Sequence, residues 1–184
     1  MLEVGTAFEA GVQIVYLLLL VFVVGGIFYV GLQQQLVRRK LDIASKELQE
    51  KVRTGEATAE EFYTYGAIMI EKEYYSLAIK ALKESIEKWE GKDDEQAQIH
   101  NALGFALQKL DKFDDALVSF KAAVNLCPEY VVAHRNLGDS YERLKKFKEA
   151  LESYEEALRI DPNDKTSREK VEYVRRIAER RGEV

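Results

Sequence analysis

The sequence predicts an all-α chain: one N-terminal transmembrane helix, then a solenoid of three helix pairs, then a C-terminal capping helix. Two observations carry that class. The first is a stretch from Ala10 to Val37 that contains no charged residue. The second is a constellation built on Gly66, Gly104 and Gly138, each followed twelve positions later by an alanine, Ala78, Ala116 and Ala150. Around each pair an aromatic stands nine residues after the glycine (Tyr75, Phe113, Phe147). A large apolar residue follows at sixteen (Leu82, Phe120, Tyr154) and a small one at nineteen (Ser85, Ala123, Ala157). The second and third units repeat at 34 residues without a gap, and both end in proline, Pro128 and Pro162.

Taking the chain in order, residues 1–10 are short and weakly acidic, with Glu3 and Glu9. Ile14–Leu32 is apolar almost throughout, and at ~1.5 Å per residue it covers nearly the ~30 Å of a bilayer's hydrocarbon core. The span is expected at about residues 12–32, within an N-terminal segment of residues 1–37. A secretory signal would need a basic start and a small-residue cleavage site, and neither is present. Gly25, Gly26 and Gly31 weaken a soluble helix but are common in membrane helices, where they allow close approach. Arg38, Arg39 and Lys40 stand directly after the span, whereas only glutamates precede it. Positive residues stay on the cytoplasmic or stromal side, so the C-terminal domain is expected to face that way.

Residues 38–55 read as a linker helix. Val37, Leu41, Ala44, Leu48 and Val52 recur three and four apart on one face, which either packs on the first repeat or seams with a partner helix. Gly55 ends it, and Thr58-Ala59-Glu60-Glu61 forms a capping box that opens the next helix.

The repeats are expected at 59–92, 97–130 and 131–164. A 34-residue period of two helices resembles the tetratricopeptide repeat. Glycine on the first helix is expected to face alanine on the second, so that the backbones approach closely, with the aromatics wedged between neighbouring pairs. Proline, lacking an N–H, closes each unit. The first repeat lacks that proline and carries a four-residue excess around Gly91-Lys92-Asp93-Asp94. Residues 165–184 form the capping helix and tail, with Val171, Val174 and Ile177 on the covered face. Arg175, Arg176, Arg180 and Arg181 supply a polar outer face and complement the helix C-terminus.

Composition excludes several functions. The net charge is −5, from 27 Lys+Arg against 32 Asp+Glu interspersed along the chain, unlike the concentrated basic surface that nucleic acid demands. Cys127 is the only cysteine, so no intramolecular disulfide forms. There is no Gly-rich phosphate loop, paired-cysteine metal motif or His-Glu-x-x-His. Neither catalysis, a cofactor, a metal nor a small-molecule substrate is expected. His100 and His134 occupy one slot in adjacent repeats and read as packing residues rather than ligands. Cys127 reads as a small buried filler, and Tyr130, Tyr141, Tyr154 and Tyr173 read as core. The charges around Lys145–Glu149 read as solvated helix surface.

The resemblance to tetratricopeptide modules implies peptide or protein binding along a concave face lined by the first helix of each pair. By position, that lining is Tyr63, Asn101, Phe105, Gln108, Arg135, Asp139 and Glu142. Asn101 would hydrogen-bond an extended backbone, Phe105 would give an apolar contact, and Arg135 would pair with a carboxylate. The expected partner is therefore a mildly acidic extended segment. Co-chaperone members clamp the C-terminal carboxylate of heat-shock proteins with Lys, Arg and Asn. Here the matching slots hold Tyr63, Ala67 and Val132, so that ligand is not expected.

A narrower resemblance follows from the order of features. A span with a basic exit precedes Gln49-Glu50-Lys51-Val52-Arg53-Thr54-Gly55. There follow Ile86-Glu87-Lys88-Trp89, Asn101-Ala102-Leu103-Gly104, Glu129-Tyr130-Val131, Asn136-Leu137-Gly138-Asp139-Ser140-Tyr141-Glu142 and Asp161-Pro162-Asn163. Over about residues 12–175 this resembles the thylakoid-anchored tetratricopeptide proteins that assist photosystem I assembly in cyanobacteria, algae and plants. The resemblance implies a non-catalytic scaffold on the stromal side of the thylakoid membrane, without cofactor. Its partners would be photosystem I subunits or assembly intermediates and other assembly factors. A transit peptide is absent here, having been removed or never needed. The alternative is a general peptide receptor or tether at an organelle or bacterial membrane.

Overall fold

The computed structural model describes the backbone of residues 2–182 and the side chains from Tyr16 to Gly182 except Leu17. The side chains of Glu3, Glu9 and Val12–Val15 therefore lie outside what is described. Eight α-helices and no strand occur among the described residues. They are α1 (Leu2–Thr54), α2 (Ala59–Glu71), α3 (Tyr75–Glu87), α4 (Asp93–Lys109), α5 (Phe113–Leu126), α6 (Val131–Arg143), α7 (Phe147–Ile160) and α8 (Lys165–Arg181). The chain divides into two compact units, Met1–Ala44 and Ser45–Val184.

In the first unit every described side chain from Tyr16 to Lys40 is exposed, Phe22 to 80% and Phe28 to 73%. Over that stretch the helix buries nothing of itself, and it is long and apolar enough to cross a membrane. A Cβ added at Gly25, Gly26 or Gly31 would meet no atom within 4 Å. On the predicted stripe Val37 is exposed, while Leu41, Ala44, Leu48 and Val52 are half-buried.

The second unit is the solenoid. Gly55 ends α1 with φ +76°, a conformation glycine adopts without penalty. Thr58 then caps α2: its hydroxyl accepts from the Glu61 N–H at 3.2 Å, and Glu61 accepts from the Thr58 N–H at 3.0 Å. Lys51 reaches Glu61 at 2.5 Å across the turn. Helices pack in sequence, α2 on α3, α4 on α5, α6 on α7, with α8 closing against α7. First helices of neighbouring pairs also touch, α2 with α4 and α4 with α6. Alternate helices thus share one face of the solenoid.

The repeated small residues lie at the helix crossings. Ala78, Ala116 and Ala150 are fully buried, as are Ser85, Ala123 and Ala157. The glycines, however, are filled by the residue at sixteen rather than by the alanine at twelve. A Cβ on Gly104 would stand 2.6 Å from the Phe120 ring, one on Gly138 2.7 Å from the Tyr154 ring, and one on Gly66 2.8 Å from Leu82 Cγ. The missing side chain makes room for a large one from the second helix. Three alanines, Ala97, Ala123 and Ala133, bring α4, α5 and α6 together at the next junction.

Each pair turns through a left-handed residue that is not glycine: Glu73 (φ 62°), Asp111 (φ 57°) and Lys145 (φ 59°). The following N–H reaches back to the first helix, Tyr74 to Met69, Lys112 to Leu107 and Lys146 to Tyr141, at 2.8–3.0 Å. The excess in the first repeat becomes the α3–α4 loop. There Trp89 Nε1 donates to the Lys92 carbonyl at 3.2 Å, and its ring lies over Gly91.

α8 closes the array with Val171, Val174 and Ala178 buried against Phe147, Leu151 and Tyr154. Ile177 packs beside them, and Arg175, Arg176, Arg180 and Arg181 are exposed. Of the residues expected in the core, Tyr173 points away from that cluster and is 47% exposed. Tyr141 packs half-buried against it, and Tyr130 and Cys127 pack half-buried against Ala97, Ala123 and Ala133. His100 and His134 are half-buried too, and His134 Nε2 lies 2.8 Å from the Pro128 carbonyl. Burial holds His100 below the ordinary histidine range, so it is neutral at pH 7.

Candidate protein-binding groove

The inner faces of α4, α6 and α8 converge on a cleft of about 540 Å³, lined by Phe105, Gln108, Lys109, Asp111, Phe113, Asn136, Asp139, Glu142, Arg143 and Lys170. Helical spacing explains the set. Phe105 and Gln108 recur three apart on α4, and Asp139 and Glu142 occupy the same slots one repeat later on α6. Four of the seven residues predicted from sequence, Phe105, Gln108, Asp139 and Glu142, therefore meet here.

The other three do not line it. Asn101 lies one turn back along α4, with both ends of its amide engaged. Its Nδ2 donates to the Tyr130 hydroxyl at 3.3 Å and its Oδ1 accepts from Asn136 Nδ2 at 2.9 Å. Tyr63, half-buried on α2, is outside the cleft. Arg135 is committed inside the chain: both Asp164 carboxylate oxygens lie 3.3 Å from its Nη1. Asp164 also caps α8, accepting from the Thr166 N–H at 3.2 Å and the Ser167 hydroxyl at 2.6 Å. Burial alone would raise the Asp164 carboxyl, but the Ser167 hydrogen bond, the Arg135 charge and the backbone N–H groups outweigh it. They hold the group below the usual carboxylate range. Arg135 thus braces the terminal helix through Asp164.

Sequence reasoning missed Asn136, Lys170, Lys109 and Arg143, and also Asp111 and Phe113 at the α4–α5 turn. Asn136 and Lys109 each stand one residue beyond a predicted slot, and Arg143 follows Glu142 in the same way. A helical face about 100° wide takes in that neighbour. Lys170 belongs to α8, which the sequence reading treated as a cap alone.

A polar network forms the floor. The Tyr154 hydroxyl lies 2.5 Å from Asp139 Oδ1 and 3.0 Å from Glu142 Oε2, and Lys170 Nζ lies 3.2 and 2.9 Å from the same two oxygens. Burial pushes the Tyr154 hydroxyl up, and the hydrogen bond to Asp139 and the two negative charges push it further. It stays protonated and donates. Burial draws the Lys170 ammonium down, but the Glu142 and Asp139 contacts outweigh it and leave the group raised and charged. Across the cleft Gln108 Nε2 donates to Ser140 Oγ at 3.2 Å, and the Lys109 ammonium sits 5.1 Å from the centre of the Phe105 ring. The surface thus offers an aromatic face, amide groups and carboxylates to an extended chain. No group of three or more acidic, His or Cys residues suited to a metal occurs among the described residues.

The sequence profile of the tetratricopeptide repeat matches residues 95–163. The chain is 47% identical over 167 residues to the chloroplastic tetratricopeptide repeat domain-containing protein PYG7 of Arabidopsis thaliana, covering 90% of this chain and 55% of that protein. It is 29% identical over 126 residues to the uncharacterized protein ycf37 of Guillardia theta, covering 68% of this chain and 66% of that one. It therefore spans about half to two thirds of the length of these relatives. Among solved structures, MamA superposes with a TM-score of 0.70 at 20% identity, covering 79% of this chain and 81% of that one. The first tetratricopeptide domain of Spaghetti (RPAP3), bound to an HSP90 peptide, gives a TM-score of 0.61 at 22% identity, covering 65% and 92%. At those identities the likeness concerns the fold.

Proposed function

We propose, for a chain that belongs to the tetratricopeptide-repeat family of PYG7 and ycf37, the role of a membrane-anchored, non-catalytic scaffold that assists photosystem I assembly or stability. The observation that carries this reading is the similarity to a chloroplastic relative along 90% of the chain, apolar helix and solenoid together. The helix anchors the chain in the thylakoid membrane by a single span. Arg38, Arg39 and Lys40 hold the solenoid on the stromal or cytoplasmic face. The cleft at Phe105, Gln108, Asp139 and Glu142 is the working surface, and its partners are photosystem I subunits or assembly intermediates.

The matched family is a protein-interaction repeat, and scaffolding needs only what the cleft supplies: a half-buried aromatic anchor with polar groups around it. The test is affinity isolation of the tagged chain from detergent-solubilised photosynthetic membranes, beside the Phe105→Ala, Gln108→Ala variant. Photosystem I proteins should co-purify with the first and be lost with the second. Recovery of unrelated peptides or proteins by both chains would instead favour a general receptor or tether.

A further inference from the structure

The two carboxylates in the cleft are incompletely answered by their own chain, and the imbalance specifies a ligand. Every internal contact falls on one oxygen of each acid: Tyr154 and Lys170 both reach Asp139 Oδ1 and Glu142 Oε2. Asp139 Oδ2 and Glu142 Oε1 receive no hydrogen bond among the described residues. A tyrosine hydroxyl has a single proton to give, so one neutral donor and one ammonium face two ionised groups. Their side chains are 35% and 20% exposed, and both line the open cleft.

The remaining charges of the cleft define what can enter. Lys109 is spread over the Phe105 ring. Arg143 is exposed at the rim, with Asp111 nearby in the lining. These two cations oppose a run of positive residues, whereas Asp139 and Glu142 oppose an acidic tail. An aromatic wall, Phe105 with Phe113, stands beside the acids.

Resting on the proposal that this cleft is the binding surface, we infer that its occupant is an extended segment carrying one arginine or lysine. That cationic head meets the free oxygens of Asp139 and Glu142, and an adjoining apolar side chain lies on Phe105. Ionised pairing of this kind is directional, above all for a guanidinium on two carboxylates. The ligand class is the reverse of the acidic segment that Arg135 would have taken, because Arg135 is held by Asp164.

The test is selection of random dodecapeptides displayed on phage against the full chain in nanodiscs, with counter-selection on the Phe105→Ala chain. Peptides that depend on Phe105 should share one Arg or Lys next to an apolar residue. Asp139→Asn with Glu142→Gln should weaken the best of them by roughly tenfold or more, about the effect of one lost charged contact. Lys170→Met, which removes the internal competitor, should tighten it several-fold and needs no loss of carboxylates. Phe105-dependent peptides that are acidic or uncharged, or weaker binding in Lys170→Met, would overturn the cationic ligand while leaving the groove in place. If no selected peptide depends on Phe105, the groove itself is not the binding surface.

Discussion

Replacing the solenoid glycines with alanine separates two opposed effects, and the structure assigns the winner at each position. Alanine in a helix gains about 1 kcal/mol over glycine. At Gly138 the new methyl would stand 2.7 Å from Tyr154 Cε1, 2.8 Å from Cδ1 and 2.9 Å from Cζ. Ordinary carbon contacts begin near ~3.5 Å, so the ring must retreat by roughly 0.8 Å. It has little room, being fully buried with its hydroxyl 2.5 Å from Asp139. Overpacking of this kind costs ~1–3 kcal/mol, which leaves a net loss of about 1 kcal/mol after the propensity gain. For a unit of this size that lowers the melting midpoint by ~3–5 °C. Gly104→Ala meets the Phe120 ring at 2.6 Å and should behave alike. Gly66→Ala meets Leu82 Cγ at 2.8 Å; that side chain is also fully buried but has no ring and no hydroxyl tether, so the variant should lose less. Gly31→Ala, with open space around it, is the control. Thermal unfolding of the full chain in detergent micelles, followed by circular dichroism, should give that order. If Gly104→Ala and Gly138→Ala melt at or above the wild type, the glycine–ring contact is not what fixes each helix pair.

Asp164→Ala removes a cap worth about 1 kcal/mol together with the brace to Arg135, so it should destabilise α8 more than Arg135→Ala does; hydrogen exchange of α8 amides measures both. The folded Asp164 carboxyl is lowered, so its contribution is complete above the unfolded value of about 3.9. It is lost as pH falls through the folded value, and Asp164→Asn should flatten that acid limb of a stability–pH curve. Lys145→Gly relieves a left-handed residue (φ 59°) and should stabilise by about 0.5–1 kcal/mol, seen as a higher urea midpoint at unchanged slope. Protease added to right-side-out vesicles, with the cytoplasmic or stromal face inside, should leave the solenoid intact; its digestion there would contradict the orientation drawn from Arg38, Arg39 and Lys40.

The repeats were legible because their constraints are local and periodic. Gly66, Gly104 and Gly138 with their small and aromatic followers mark helix crossings that recur at a fixed spacing, and the Thr58–Glu61 box marks a helix start within four residues. What filled each glycine was not legible. The alanine at twelve and the large residue at sixteen lie one turn apart on the same helix face, and only the side-chain direction shows that Leu82, Phe120 and Tyr154 enter the gap. The cleft was half legible for a related reason. Phe105, Gln108, Asp139 and Glu142 follow from slots within the repeat, but Arg135 and Lys170 exchange roles through contacts 28 and 29 residues away. Arg135 is drawn to the cap of α8, while Lys170 of α8 turns into the groove. Tyr173 reads as apolar by composition, yet it falls two positions from each of Val171 and Arg175 and so off the covered stripe.

The scaffold reading is tested most directly by photosystem I content, measured from its light-induced absorbance change in photosynthetic cells lacking this chain. The wild-type chain should restore that content. The Phe105→Ala, Gln108→Ala chain, present in the membrane at equal level and equally helical, should leave it low. Equal restoration by both chains would show that the cleft on α4, α6 and α8 is not the working surface, and undiminished photosystem I in cells lacking the chain would contradict the assembly role itself.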